Sequence, residues 1–408
     1  LEVVYNVVTG GKVNGKVFFS ILMGLNLGII FMTIPPALDT MMTFYGVSYY
    51  QISLLISALI WSHALMQVPA GLMTDRLGIR FTLIACLACM IIGHVLPILF
   101  SNLLFAIIGR VIAGIGTGLS VAATMKLIAL SVPENRVGTY QAFFGGFFSI
   151  GSIIAYVCIP RLLSLGWQSV YGMPLVSCLP LLIMVGVLGL GPHHSTISIS
   201  LHLQTVVHMK EGWSLGFFHA LSFGSILTLG NWVPALLAEV SAETSVLQFA
   251  WGGALVMLIS GIGRLSGGVV LLRWTPLMVV NSSIIFLAFI FGGILFVQSS
   301  AFVLCMALLA AWFASINFGA LFHIASRVTS SDYYATLFGF INFLANLGAV
   351  IFTIMFGVMK DLSGSFIGGF GVMALLAAMA YLWGRTSLRR AAATPFRRSG
   401  EVQALTID

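Results

Sequence analysis

The sequence predicts an all-α integral membrane protein of twelve transmembrane helices in two pseudo-symmetric six-helix halves. Three observations carry this: the composition, the length of the apolar runs, and an internal register. The 408 residues are 59% hydrophobic and only 7% charged, with a mean hydropathy of +1.08. Soluble domains carry about 25% charged residues, so the solvent for most of this chain is lipid. Runs of about 20 apolar residues cross about 30 Å of hydrocarbon, and in lipid such runs satisfy their backbone groups as helices. Sliding the sequence on itself by 197 positions brings Gly71 onto Gly268, Arg76 onto Arg273, Thr139 onto Thr336, Gly151 onto Gly348 and Lys126 onto His323.

Between the Gly, Pro and charged punctuation, the first six spans fall at 17–43, 51–74, 80–100, 103–130, 137–160 and 168–190. The second six fall at 213–238, 246–272, 276–298, 301–328, 332–359 and 365–385. The register makes 1–190 one half and 213–385 the other, joined by the single long polar segment at 191–212 and followed by a basic tail at 386–408. The first run is too long for the h-region of a signal peptide and shows no cleavage site, so it is read as a span.

Lysines and arginines recur singly between runs rather than in one patch, which makes the +7 charge a topology signal and argues against a nucleic-acid partner. Lys12, Lys16, Arg76, Arg80, Arg136, Lys210, Arg273, Arg327 and the tail arginines all fall on one side, which the positive-inside rule makes cytoplasmic. Both termini are therefore expected in the cytoplasm, with the chain in the cytoplasmic (inner) membrane. Asp39, Glu239, Glu243 and Asp361 fall near the outer ends of spans and Asp75, Glu134, Glu211 and Asp332 near the inner ends, leaving no acid at mid-membrane. Cys86 and Cys89 form a C-x-x-C inside an apolar run with no second pair nearby, which favours helix packing over redox or metal chemistry.

"GLMTDRLGIR", between spans two and three, resembles the Gly-x-x-x-Asp-Arg-x-Gly-x-Arg loop motif of the major facilitator superfamily. "GRVIAGIGTG" at 109–118 is similar to its fourth-span Arg-x-x-x-Gly-x-Gly element, and "FGVMKDLSGSF" closes span eleven in the family's manner. The resemblance implies alternating access. It makes Asp75 a latch acid with Arg136 as a partner, places Arg76 and Arg80 at the headgroups, and gives Gly71 and Gly78 to close helix approach and a tight turn. It makes Arg110, Gly114 and Gly116 structural. A plain topology-anchor role for Arg76 and Arg80 is compatible with this. The second half departs from the motif, with Leu272 and Thr275 standing where Asp75 and Gly78 stand, so the latch is one-sided.

An ionisable residue inside a span is a functional candidate by default. Arg264 lies nine residues before Arg273, about 13 Å inside the boundary at ~1.5 Å per residue, and its planar fork suits a carboxylate or an inorganic oxyanion. Its segment is similar to the eighth span of monocarboxylate and oxalate/formate-type carriers, a resemblance that implies anion contact; a scaffold role is the alternative. His63, at comparable depth, is either a proton carrier or anion donor, or a helix-bridging histidine. His219 and His94 are weaker versions of the same case. Asn26, Asn317, Asn342 and Asn346 bind substrate or join helices. Arg110 and Lys126 point about 160° apart around one helix at ~100° per residue, so they do not share a cavity. Lys126 and its repeat counterpart His323 suit an inner vestibule for an anion, while snorkelling also accounts for the lysine. Trp61, Trp232, Trp251 and Trp312 are assigned to packing.

These residues favour a secondary carrier of a small organic or inorganic anion, with a co-transported proton an open question. The alternatives are an exporter of drugs or amphipathic compounds, which the absence of a Gly-Pro element in span five disfavours, and a transporter-like solute sensor. No nucleophile, base and orienter converge in sequence and no phosphate-cradling loop is present, so no enzyme and no cofactor is expected. The partners expected are a small solute and the bilayer, with the chain monomeric.

Overall fold

A computed structural model describes residues 15–132, 137–189, 206–241, 246–296, 299–328 and 331–393. Among them twelve helices are long and apolar enough to cross a membrane: Gly15–Tyr45, Tyr49–Gln67, Ile79–Leu99, Leu103–Ile128, Phe143–Leu165, Ser169–Val187, Lys210–Val240, Phe249–Gly267, Pro276–Ile294, Ser300–Ala325, Leu337–Ser363 and Ile367–Gly384. They are called spans one to twelve, and the described residues contain no strand. Twelve passes bring both described ends to one side of the bundle, the terminal side; the opposite side is the far side. The predicted 191–212 connection and the tail beyond 393 lie largely outside the described residues.

Span starts carry local signals. Ser48 opens span two with a reciprocal capping box to Gln51, and Asn102, Thr275 and Ser299 accept from the backbone of Phe105, Met278 and Phe302 at the starts of spans four, nine and ten. Each cap satisfies one orphan N–H at a helix start. The helix that carries span two runs on to Leu77, so only Gly78, at φ +84°, separates it from the helix of span three, a conformation that a Cβ would strain.

Three predicted helices differ from expectation. Span one is broken into Gly15–Phe31, a 3-10 turn at Pro35–Ala37 and Leu38–Tyr45, because Pro35 and Pro36 have no N–H for the carbonyls one turn back. Span ten is divided at Asn317 into Ser300–Ile316 and Phe318–Val328. The helix of span eight ends at Val270 in a turn rather than running on to 272. Arg264 is thus six residues, about 9 Å, from the helix end.

The packing repeats with a shift of six. Spans one·five, two·four, three·four and three·six pack together, and so do seven·eleven, eight·ten, nine·ten and nine·twelve. Between the two groups the principal seams are two·eleven and five·eight, which exchange under the same shift. The fourth-span glycines permit close approach: a Cβ on Gly114 would run into Leu59 and Ser62 of span two, and one on Gly116 into Cys86 and Met90 of span three. Small residues at such contacts let helix backbones touch, where lipid supplies no hydrophobic drive.

Candidate functional site

Arg264 sits on span eight at the five·eight seam. Its Nη1 is 4.0 Å from the position a Cβ would take on Gly145 of span five, and a Cβ on the adjacent Gly146 would meet nothing within 4 Å. The guanidinium lies 5.3 Å from the Phe318 ring centroid, a cation–π distance. Phe318 is the first residue of the helix that follows the break at Asn317. The side chain is half-buried, its Nε has no hydrogen-bond partner, and no carboxylate pairs with it among the described residues. His219 of span seven, 2% exposed, packs on Phe318 and Phe322 at 5.5 and 5.3 Å. It lies in the field of Arg264 and within side-chain hydrogen-bonding reach of Asn342 on span eleven. Asn346, one turn on, donates to the Asn342 carbonyl at 2.9 Å and leaves its own Oδ1 unpartnered and buried. Spans seven, eight, ten and eleven thus gather a cation, an imidazole, two amides and two aromatic faces against the glycines of span five.

The remaining candidates are placed elsewhere. His63 is buried with both ring nitrogens engaged, one with Thr117 at 3.1 Å and one with Gln67 at 3.0 Å, and Phe31 packs edge-on against it. Asn26 accepts from Ser177 at 2.6 Å and turns its NH2 toward the sulfurs of Met90 and Cys178, joining spans one, three and six. Asn317 donates to Ser222 and Ser283, each at 2.8 Å, joining spans seven, nine and ten. Arg110, 2% exposed, donates to the Ile30 carbonyl at 2.9 Å and the Thr33 hydroxyl at 3.1 Å. Lys126 is half-buried and His323 exposed, and both have interaction partners. In the loop motif, Gly78 makes the turn, Arg80 is exposed, and a Cβ on Gly71 would meet nothing within 4 Å. The side chains of Asp75 and Arg76, and all of Arg136, lie outside the described residues.

Sequence reasoning missed the far-side seam. Asp361, at the end of span eleven, accepts from the backbone N–H of Tyr49 at 3.0 Å and of Tyr50 at 2.8 Å, capping span two from the other half. Lys360 bonds Glu239 at 2.9 Å and lies over the rings of Tyr49 and Phe366. The Tyr156 hydroxyl of span five donates to the Gly230 carbonyl of span seven. Between Pro35, Asp39, Pro234 and Phe249 a crevice of about 20 Å³ remains, room for about one water. The available signal was "KD" in "FGVMKDLSGSF", an adjacent pair of opposite charges in a chain that carries few.

The Major Facilitator Superfamily model matches residues 18–353. A chloroplastic probable anion transporter 6 from Arabidopsis thaliana is 29% identical over 129 residues, covering 31% of this chain and 25% of that one. The sialic acid transporter NanX of Escherichia coli (strain K12) is 23% identical over 206 residues, 48% of this chain and 49% of that one. The matched stretches thus span between a quarter and a half of these relatives' length. Among solved structures, a D-xylose–proton symporter superposes with a TM-score of 0.75 at 14% identity over 92% of this chain and 98% of its own. A bacterial homologue of the lysosomal transporter Spinster, in an inward-facing and occupied conformation, gives 0.71 at 14% identity over 93% and 98%. A family match across most of the spans, on a twelve-helix bundle whose packing repeats after six, makes this chain a member of the Major Facilitator Superfamily.

Proposed function

We propose that this protein is a secondary carrier of a small organic or inorganic anion, working by alternating access between its six-helix halves, 1–190 and 213–385. The observation that carries the reading is Arg264: a half-buried guanidinium with no acid beside it among the described residues, stacked on Phe318 and turned toward the glycines of span five. A buried charge is retained when something compensates it, and a planar fork is the geometry that a carboxylate or oxyanion takes in two-point contact. The His219 imidazole stands beside it, while the amides of Asn342 and Asn346 each already donate to a backbone carbonyl. Relatives named for anion and sialic acid transport support the choice; others are named for glucose transport.

The far-side contacts hold the halves together at one end, while nearer the other Gly145 faces Arg264 and a Cβ on Gly146 would meet nothing within 4 Å. The lysine and arginine distribution supports a cytoplasmic terminal side in a cell (inner) membrane. Asp75 and Arg136 are assigned the opposing latch on that side, with Lys126 and His323 in the vestibule. Transport draws on a solute or proton gradient, with no bond made or broken by the protein.

Counterflow of labelled small anions in proteoliposomes tests the carrier reading. Exchange that Arg264→Gln abolishes supports it, and a protein that binds anions without exchanging them is a sensor instead. Asp75→Asn is expected to slow exchange with little change in affinity.

A further inference from the structure

Arg110 raises a separate question of charge. It lies in span four within the first half, 2% exposed, and its two hydrogen bonds leave both Nε and Nη2 buried without a partner. His94 of span three, 1% exposed, donates from Nδ1 to the Met90 carbonyl at 2.7 Å and leaves Nε2 buried without a partner. Arg110 is within electrostatic range of both His94 and Tyr171, and the Tyr171 hydroxyl is paired with Tyr45 at 3.0 Å. No carboxylate pairs with Arg110 among the described residues.

Part of the charge is met by the break in span one. Pro35 and Pro36 end the helix, Ile30 sits in its last turn, and a helix C-terminus carries a partial negative charge of about half a unit. The guanidinium docks on that end through one nitrogen only. Two N–H-bearing nitrogens of a cation still face a site without an acceptor, and buried donors left unmade are costly.

We infer that Arg110 holds a resident compact anion of the halide type inside the first half, on Nε and Nη2, distinct from the solute bound at Arg264. A carbonyl only accepts, so the Nδ1 of His94 carries the proton and its neutral Nε2 is an acceptor. A hydrated anion brings the donor that Nε2 lacks. The surroundings are enclosed: Arg110 and His94 are 2% and 1% exposed, and at the adjacent Gly93 and Gly109 spans three and four meet backbone to backbone. A monatomic anion needs less room in such an enclosure than a carboxylate-bearing solute. The ion neutralises the guanidinium and fastens span four to the broken end of span one.

Crystals of the unmodified protein grown in sodium bromide test this directly. An anomalous bromide peak beside the Nε of Arg110 is the expected result, and no peak there overturns the inference. In solution, replacing gluconate by chloride raises the Tm, because a ligand of the native state stabilises it by mass action. That rise is expected to persist in Arg264→Gln and to vanish in Arg110→Gln; a Tm indifferent to halide in the unmodified protein also overturns it. Should Arg110→Gln not fold, the bromide peak decides. Loss of exchange in Arg264→Gln bears on the carrier reading and leaves this one standing.

Discussion

Arg110 and Arg264 are two arginines inside spans, each without an acidic partner among the described residues, and they sit in opposite kinds of place. Arg110 is sealed within one half and bonded to the end of a broken helix. Arg264 lies on the seam between the halves, stacked on one aromatic ring and aimed at glycines that leave space. Depth and charge do not distinguish them. What distinguishes them is whether the neighbouring spans belong to one packed group or to both. On the carrier reading proposed above, a cation within one group fastens helices and a cation on the seam meets a solute.

Substitutions probe that contrast in descending order of effect. Arg264→Gln is expected to cut anion exchange in proteoliposomes by roughly thirtyfold or more with an unchanged Tm, since removing one member of a buried charge pair costs about 2–5 kcal/mol. Arg264→Lys, which keeps the charge and loses the fork, should fall between. Asp361→Asn weakens two charge-assisted bonds, each worth about 1.5–3 kcal/mol, and should favour opening of the far side. Faster maleimide labelling of Ser53→Cys, at a position now fully buried, would register it in a cysteine-free background; unchanged labelling removes Asp361 from the gate. Gly78→Ala forces a side chain into φ +84°, costing about 1 kcal/mol or more, with a lower Tm and unaltered anion affinity. His63→Gln should cost about 1 kcal/mol of stability and leave exchange intact, because both nitrogens already serve Thr117 and Gln67. A selective loss of exchange would move His63 into the site.

The spans were legible because lipid imposes apolar runs of a set length, and each observed span falls within a few residues of its predicted run over most of the chain. The break at Pro35–Pro36 had its signal in the two missing N–H groups. The break at Asn317 had none, since the polar partners that hold it, Ser222 and Ser283, are distant in sequence. Arg264 was legible as a lone cation, but its surroundings were not. Phe318, His219 and Asn342 come from three other spans, and only packing decides which faces converge. The amides were ambiguous for the same reason: Asn26 and Asn317 turn toward neighbours within their own half, while Asn342 and Asn346 lie near the seam.

The grip of Asp361 on span two has an evolutionary corollary. Its two partners are main-chain N–H groups, so nearly any amino acid at positions 49 and 50 preserves the bond. Pairwise covariation among relatives would not register these two bonds, and a side-chain scan at position 49 would report the ring contacts of Tyr49 with Lys360 and Phe366 instead. Only proline, which has no N–H to offer, withdraws a donor from that end. Tyr49→Pro or Tyr50→Pro therefore addresses the contact from its receiving side, and a joint of this kind can hold its geometry while the residues beside it drift.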